Sequence, residues 1–282
     1  MTGCFGFVPI NLSSVEATSR LLIMGGAAGP ALLSRFVELS GAAAARILVI
    51  ATASESPETA EATYIEKFEA LGAGSARALR LSSRVEANDP AAGPVLREAT
   101  GIFFTGGDQE RITGVLGGTA ADTLLHELVA GGRVVLAGTS AGAAMMSATM
   151  ITGGDRPGVA ADSVRTGPGL EFLPCVVIDQ HFAERGRLNR LLSAVARYPH
   201  ELGVGIDEDT AILTGGDSFE VLGSGAVTVV DAGAATDIRV PPAGPIALAG
   251  ARIHVLPAGC TFHLTGRRPV TGPTSPERER AA

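Results

Sequence analysis

The sequence predicts an α/β fold: a three-layer arrangement in which a mostly parallel sheet carries helices on both faces, with a β-rich C-terminal extension. Three observations carry that expectation. Short apolar runs alternate with amphipathic segments over the first two thirds of the 282 residues. That is the pattern of strands buried on both faces and joined by crossover helices. The glycine clusters Gly25-Gly26, Gly106-Gly107 and 138–142 all fall where apolar runs end. In parallel sheets ligands bind outside the carboxyl ends of strands, so these clusters should crowd around one site. From Gly203 onward the helical spacing gives way to apolar runs separated by turns.

Residues 20–24 read as the first strand, ending at Gly25-Gly26. A helix over 30–40 has Pro30 at its start, where the missing N–H costs nothing. A second strand spans 46–51, and a helix over 57–71 sets Tyr64, Phe68 and Leu71 on one stripe. Then come a strand at 76–81, a helix at 89–100 and a strand at 101–104 that ends in Thr105-Gly106-Gly107-Asp108. Helices at 109–116 and 120–130 precede a strand at 133–136 and a helix at 143–148. The Gly/Asp/Pro-rich stretch 153–169 reads as a long loop over the site, followed by a strand at 175–179 and a helix at 183–197. Further strands are expected at 205–207, 210–213, 219–222, 226–230, 252–256 and 260–264. Residues 1–19 form an N-terminal extension, 20–265 a single domain with 203–265 as its β-rich part, and 266–282 a disordered tail.

Composition bounds the function. A hydrophobic content of 46% with only 4% aromatics supports a large core of Ala, Val, Leu and Ile. The net charge of −7 and the lack of a basic stripe argue against a nucleic-acid partner. Cys4, Cys175 and Cys260 are far apart and form no C-x-x-C pair, which excludes a disulfide framework and a cysteine zinc site. No two histidines form a helical pair at metal-ligand spacing, so no metal is expected. No run reaches membrane-spanning length and the N-terminus lacks a secretion signal, which predicts a cytoplasmic protein without a membrane partner.

The chemistry concentrates at Gly138-Thr139-Ser140-Ala141-Gly142-Ala143. A serine between an apolar strand and a helix, flanked by tiny residues, has the spacing of a nucleophile elbow, where the turn is too tight for larger neighbours. An ordinary Gly/Ala-rich strand-helix junction has the same spacing. A serine nucleophile needs a base, and His181 in Asp179-Gln180-His181-Phe182 follows a strand that should end at the same sheet edge. A strand-end histidine bonded to backbone is the plainer alternative. His126 lies within a helix, His200 beside Pro199, and His254 and His263 in C-terminal strands, where each fits less well. Asp207-Glu208-Asp209 offers an orienting carboxylate, with Glu208 facing opposite to its neighbours, though spacing alone leaves open which face meets the histidine. The amides of Ala141 and of Gly107 or Asp108 are candidate oxyanion donors. Arg185, Arg187 and Arg190 follow His181; on a helix Arg187 and Arg190 share a face, which suits either an anionic substrate or a solvated surface.

Together these segments resemble the cyanophycinase family of serine peptidases. The resemblance rests on the serine elbow, on Asp179-Gln180-His181-Phe182 with Arg185, Arg187 and Arg190, on Gly205-Ile206-Asp207-Glu208-Asp209-Thr210-Ala211, and on Phe103-Phe104-Thr105-Gly106-Gly107-Asp108-Gln109. The motifs run in order from about residue 21 to about 230. The resemblance implies a flavodoxin-like fold related to class I glutamine amidotransferases and a triad of Ser140, His181 and Glu208. It implies substrate contacts from Gln109, Asp179, Gln180, Arg185, Arg187 and Arg190. It further implies cyanophycin, or a related β-aspartyl peptide, as substrate, exolytic release of β-Asp-Arg, no cofactor, and a homodimer. Ala27-Ala28-Gly29-Pro30 departs from the family's charged segment after the first strand. An aspartyl dipeptidase acting on short Asp-X peptides is the alternative, and a non-catalytic binding module the remote one.

Overall fold

The computed structural model describes residues 20–154 and 156–270. Five strands, β1 (Arg20–Met24), β2 (Arg46–Ile50), β3 (Ser75–Ala78), β4 (Gly101–Phe104) and β5 (Val135–Thr139), run parallel in the order β1-β5-β4-β2-β3. Successive side chains on a strand point to opposite faces, and here both faces are buried. Leu22, Met24, Ile47, Val49 and Phe103 meet Leu32, Leu33 and Phe36 of α1 (Pro30–Leu39) and Phe68 of α2 (Pro57–Ala70). Leu21, Ile23, Leu48, Ile50, Ile102 and Phe104 meet the opposite layer. That layer comprises α3 (Arg84–Ala87), α4 (Ala92–Glu98), α5 (Gln109–Leu116) and α6 (Ala120–Ala130), through residues such as Leu96, Ile112, Leu116, Leu125 and Leu128. Two-sided burial explains why the strands read as continuous apolar runs.

Several helical and strand expectations shift. The helix expected over 89–100 is shorter, α4 at Ala92–Glu98, and a separate turn of helix, α3, precedes it. Asn88 closes α3 through its amide to the Arg84 carbonyl, and Asp89 accepts the Ala91 amide to start a turn before α4. The third strand ends at Ala78 rather than at 81, and Leu81 is buried outside it. The helix expected over 143–148 is a single turn, α7 (Ala141–Ala144), because the Met145 and Met146 carbonyls accept the Leu170 and Leu173 amides.

Beyond α7 the chain builds a second layer. β6 (Thr149–Gly153) and β7 (Arg165–Pro168) pair antiparallel, and β7 falls within the stretch 153–169 expected to be a loop. Ile151 and Val164 anchor this hairpin in a third core with Val177, Phe182 and Leu191. β8 (Val176–Gln180), α8 (Leu188–Arg197) and β9 (Leu202–Ile206) form a parallel β-α-β unit. The helix starts at 188 rather than 183, since Gly186 takes a positive φ of 59° and interrupts the turns before it.

The chain then alternates between two sheets. β10 (Thr210–Gly215) and β11 (Ser218–Gly223) join β1 antiparallel, while β12 (Ala226–Asp231) pairs with β9. β13 (Asp237–Arg239) and β14 (Ala247–Ala249) form a small hairpin, and β15 (Arg252–Pro257) pairs with β12. β16 (Thr261–His263) and β17 (Arg268–Val270) extend the first sheet. The result is a nine-stranded sheet, β17-β16-β11-β10-β1-β5-β4-β2-β3, and a four-stranded sheet, β15-β12-β9-β8. β17 lies within the stretch expected to be a tail, and Arg267 before it bonds Asp231 at 2.6 Å. The expected N-terminal extension 1–19 and residues 271–282 of the expected tail lie outside the described residues. Among the described residues no helix is long and apolar enough to cross a membrane.

Candidate active site

Ser140 sits where β5 turns into α7, with φ 53° and ψ −110°. Such a backbone is costly for a residue with a side chain, and it persists only where the surroundings over-determine it. Those surroundings admit nothing larger than glycine. A Cβ on Gly138 would stand 2.1 Å from the Gly142 carbonyl oxygen, and one on Gly142 would stand 2.4 Å from the Phe104 carbonyl oxygen. The small residues of the elbow are therefore steric requirements.

His181 follows β8 and Glu208 follows β9. These neighbouring parallel strands, with Gln180 opposite Ile206, end at the same edge. His181 Nε2 lies 3.0 Å from Ser140 Oγ, and His181 Nδ1 lies 2.5 Å from Glu208 Oε1. With Nδ1–H donating to the carboxylate, Nε2 is left to accept the serine proton; this tautomer follows from the partners. The histidine side chain is 12% exposed and the glutamate 36%, so the chain of three opens toward solvent at its acidic end.

The neighbouring acids have other tasks. Asp207 accepts the Ala183 and Ala226 amides, each at 3.0 Å. Asp209 accepts the Gly29 amide at 2.8 Å and the Ser224 hydroxyl at 2.9 Å. Both carboxylates pin loops, and Glu208 alone of the three faces the imidazole. Gly29 thus lies at the start of α1, within the segment that departs from the family pattern, and is tied to the acidic turn.

Asp179 and Arg190 are buried together. The Arg190 Nε donates to Asp179 Oδ2 at 2.7 Å, and its NH2 donates to Asp179 Oδ1. Arg187 donates to both the backbone and side-chain oxygens of Gln180, the latter at 2.8 Å. A guanidinium only donates, so the Gln180 amide oxygen is held toward Arg187 and, at 3.5 Å, toward Ser140 Oγ. The solvated-surface alternative does not describe Arg187 and Arg190, which are 7% and 5% exposed. Arg185 alone of the three arginines is exposed. Arg187 precedes α8 as its cap residue, so the two buried arginines converge on β8 by its turn geometry rather than by helical spacing.

The glycine loop after β4 lies against the serine. A Cβ on Gly106 would stand 3.4 Å from Ser140 Cβ. The Asp108 amide already donates to the Ala53 carbonyl at 2.9 Å, and its carboxylate accepts the Glu110 amide at the start of α5. That commitment removes Asp108 as an oxyanion donor and leaves the Gly107 amide beside the Ala141 amide as the candidate pair. Gln109 donates its side-chain amide to the Ile151 carbonyl at 2.8 Å, tying α5 to the β6 strand.

The remaining histidines lie elsewhere. His126 stacks on Phe172 with ring centroids 4.2 Å apart and bonds the Leu170 carbonyl at 2.7 Å. His263 accepts the Gly266 amide. Among the described residues no group of three His, Cys, Asp or Glu side chains is placed to hold a metal ion. Sequence reasoning placed Gly25-Gly26 at the site without a task; Gly25 gives room to the Ile206 and Asp207 backbone and Gly26 to the imidazole, and a glycine pair at a strand end was the signal.

Residues 21–222 match the description Peptidase family S51, and the chain belongs to that family. It is a serine-type peptidase. Cyanophycinase of Trichormus variabilis is 38% identical over 270 residues, covering 92% of this chain and 90% of the relative. Cyanophycinase of Geminocystis herdmanii is 37% identical, covering 90% of this chain and 97% of the relative. A crystal structure of a peptidase from an acI-B1 Actinobacterium superposes with a TM-score of 0.66 at 22% identity, covering 88% of this chain and 98% of that one, and shares the fold.

Proposed function

We propose that this chain is an exopeptidase that hydrolyses cyanophycin to β-Asp-Arg dipeptides through an acyl-enzyme on Ser140. The observation that carries the reading is the continuous contact from Ser140 Oγ through His181 to Glu208, at 3.0 and 2.5 Å. Ser140 Oγ attacks a main-chain carbonyl carbon of the poly-aspartate, and its proton passes to His181 Nε2. Glu208 holds the imidazole in its tautomer and balances the charge it gains. The alkoxide faces the Ala141 and Gly107 amides. His181 then protonates the departing amine, and the peptide bond breaks. Water attacks the resulting ester, gives its proton to His181, and the serine is released with the free carboxylate product.

The substrate presents a carboxylate and a guanidinium on each unit. Arg185, exposed beside the triad, is the arginine available to pair with the carboxylate bidentately. Gln109 and Gln180 border the same edge, while Asp179, Arg187 and Arg190 serve from beneath by fixing Gln180 and α8. The 36–38% identity to proteins named cyanophycinase over most of the chain supports the polymer as substrate. A homodimer in the cytoplasm belongs to the same reading.

The test is release of β-Asp-Arg from cyanophycin granules by the parent and by Ser140→Ala. The expected loss is about 10³-fold or more. Activity of the variant equal to the parent's would defeat the proposal. Preference for α-Asp-X dipeptides over the polymer would replace the substrate, and folded parent protein that resists a serine-directed fluorophosphonate would make the chain a binding module.

A further inference from the structure

Three successive carbonyls, at the end of β1 and in the turn after it, hold the three segments that bear the triad. The Met24 carbonyl accepts the Ser140 amide at 3.1 Å, the Gly25 carbonyl accepts the His181 amide at 2.7 Å, and the Gly26 carbonyl accepts the Asp209 amide, next to Glu208, at 2.9 Å. The Gly25 amide itself donates to the Thr210 carbonyl at 2.9 Å. Ser140 comes from the nine-stranded sheet, whereas His181 and Glu208 follow strands of the four-stranded sheet. The segment 24–26, the last residue of β1 and the two that follow, therefore bonds all three.

Side-chain space at Gly26 repeats the theme. Its φ is 132°, and a Cβ there would lie 2.2 Å from His181 Cε1 and 2.6 Å from both ring nitrogens. The ring has no way to yield cheaply, because both nitrogens are already bonded, to Ser140 and to Glu208. Strain collects at the same place. Ala27, Ser140, His181 and Asp209 all have positive φ, between 44° and 53°. Non-glycine residues rarely adopt that region, and they do so together only where hydrogen bonds and packing hold them.

We propose that Met24-Gly25-Gly26 is the positioning element of the triad: its carbonyls set the serine, histidine and glutamate segments in register, and the bare Cα of Gly26 provides the space in which the imidazole lies flat between its partners. The inference rests on the triad reading of the site. Gly26 brings no side chain to the reaction; it acts through His181, and a displacement of the ring by about 1 Å is enough to cost on the order of 10²-fold in rate.

The experiment compares the parent chain, Gly26→Ala, His181→Ala and the double variant. In folded Gly26→Ala, kcat on cyanophycin and the rate of fluorophosphonate labelling at Ser140 should both fall about 100-fold with KM unchanged. The melting temperature should show coupling: Gly26→Ala lowers it, and adding His181→Ala recovers part of the loss, because the ring that clashes is gone while any backbone strain at position 26 remains. If Gly26→Ala does not fold, folding of the double variant is the expected result. Parent-like kcat and labelling in Gly26→Ala would overturn the proposal, as would a double variant no more stable than Gly26→Ala. Failure of the parent to label at all strikes the triad reading instead, and the stability coupling still reads the packing of residue 26 against residue 181.

Discussion

Glu208 illustrates how much one side chain's direction decides. Asp207, Glu208 and Asp209 are alike in charge, yet two of them accept backbone amides and one accepts from the histidine. Glu208→Gln keeps the shape and removes the charge, and its amide NH2 can donate to Nδ1, which favours the tautomer whose Nε2 carries the proton and is unable to take one from the serine. The expected result is a fall in kcat of about 10³-fold or more with little change in stability, measured by product release and by thermal melting. Asp209→Ala should do the reverse in emphasis. It leaves the Gly29 amide and the Ser224 hydroxyl without their acceptor, and urea unfolding should report a loss of about 1–3 kcal/mol. A loss of activity with unchanged stability in Asp209→Ala would reassign the acid.

At the scale of elements, β8 and α8 are joined by a buried ion pair between Asp179 and Arg190. Removing one partner strands the other charge away from water. Arg190→Ala should cost about 3–5 kcal/mol in chemical denaturation, and the double variant Asp179→Leu with Arg190→Met should recover most of it. On the opposite side, α2 lays Tyr64 against Phe103 with centroids 4.6 Å apart. Burial raises the Tyr64 hydroxyl above its usual 10.0, because the phenolate is poorly solvated there. The proton is thus held more tightly in the folded chain. Its stabilising contribution is full below pH 10 and declines as pH rises through the higher folded value. Unfolding free energy measured against pH should fall less steeply above pH 10 in Tyr64→Phe than in the parent; identical slopes would remove Tyr64 from the account.

Over the whole molecule, the site exists only where two sheets meet, with β5 supplying the serine and the ends of β8 and β9 supplying the base and acid. Loss of packing between the sheets should therefore abolish labelling of Ser140 by a fluorophosphonate no later than it abolishes secondary structure. In a urea titration the labelling midpoint should coincide with, or precede, the far-ultraviolet circular dichroism midpoint. Labelling that outlasts the helices and strands would show that the serine does not depend on that junction.

Much of this was legible in the chain. Strands buried on both faces cannot avoid continuous apolar runs, and helices 109–116 and 120–130 carry their caps, Asp108 and Thr119, in the sequence itself. The serine elbow was legible because its turn tolerates only tiny neighbours. β7 was hidden, since the Gly- and Pro-rich stretch that contains it imitates a loop while Val164 beside it finds a core contributed by distant elements. The burial of Arg187 and Arg190 was hidden for the same reason: charge marks a residue for the surface until a partner such as Asp179, brought from another strand, encloses it.

Local chemistry by itself determined which segments are strand, helix and turn over most of the chain, and which residue types could act as nucleophile, base and acid. Tertiary structure decided which carboxylate faces the imidazole, that the Asp108 amide is committed to the Ala53 carbonyl, and why Gly26 bears no side chain. Those outcomes depend on distances between residues far apart in sequence, and no local preference of the backbone encodes them.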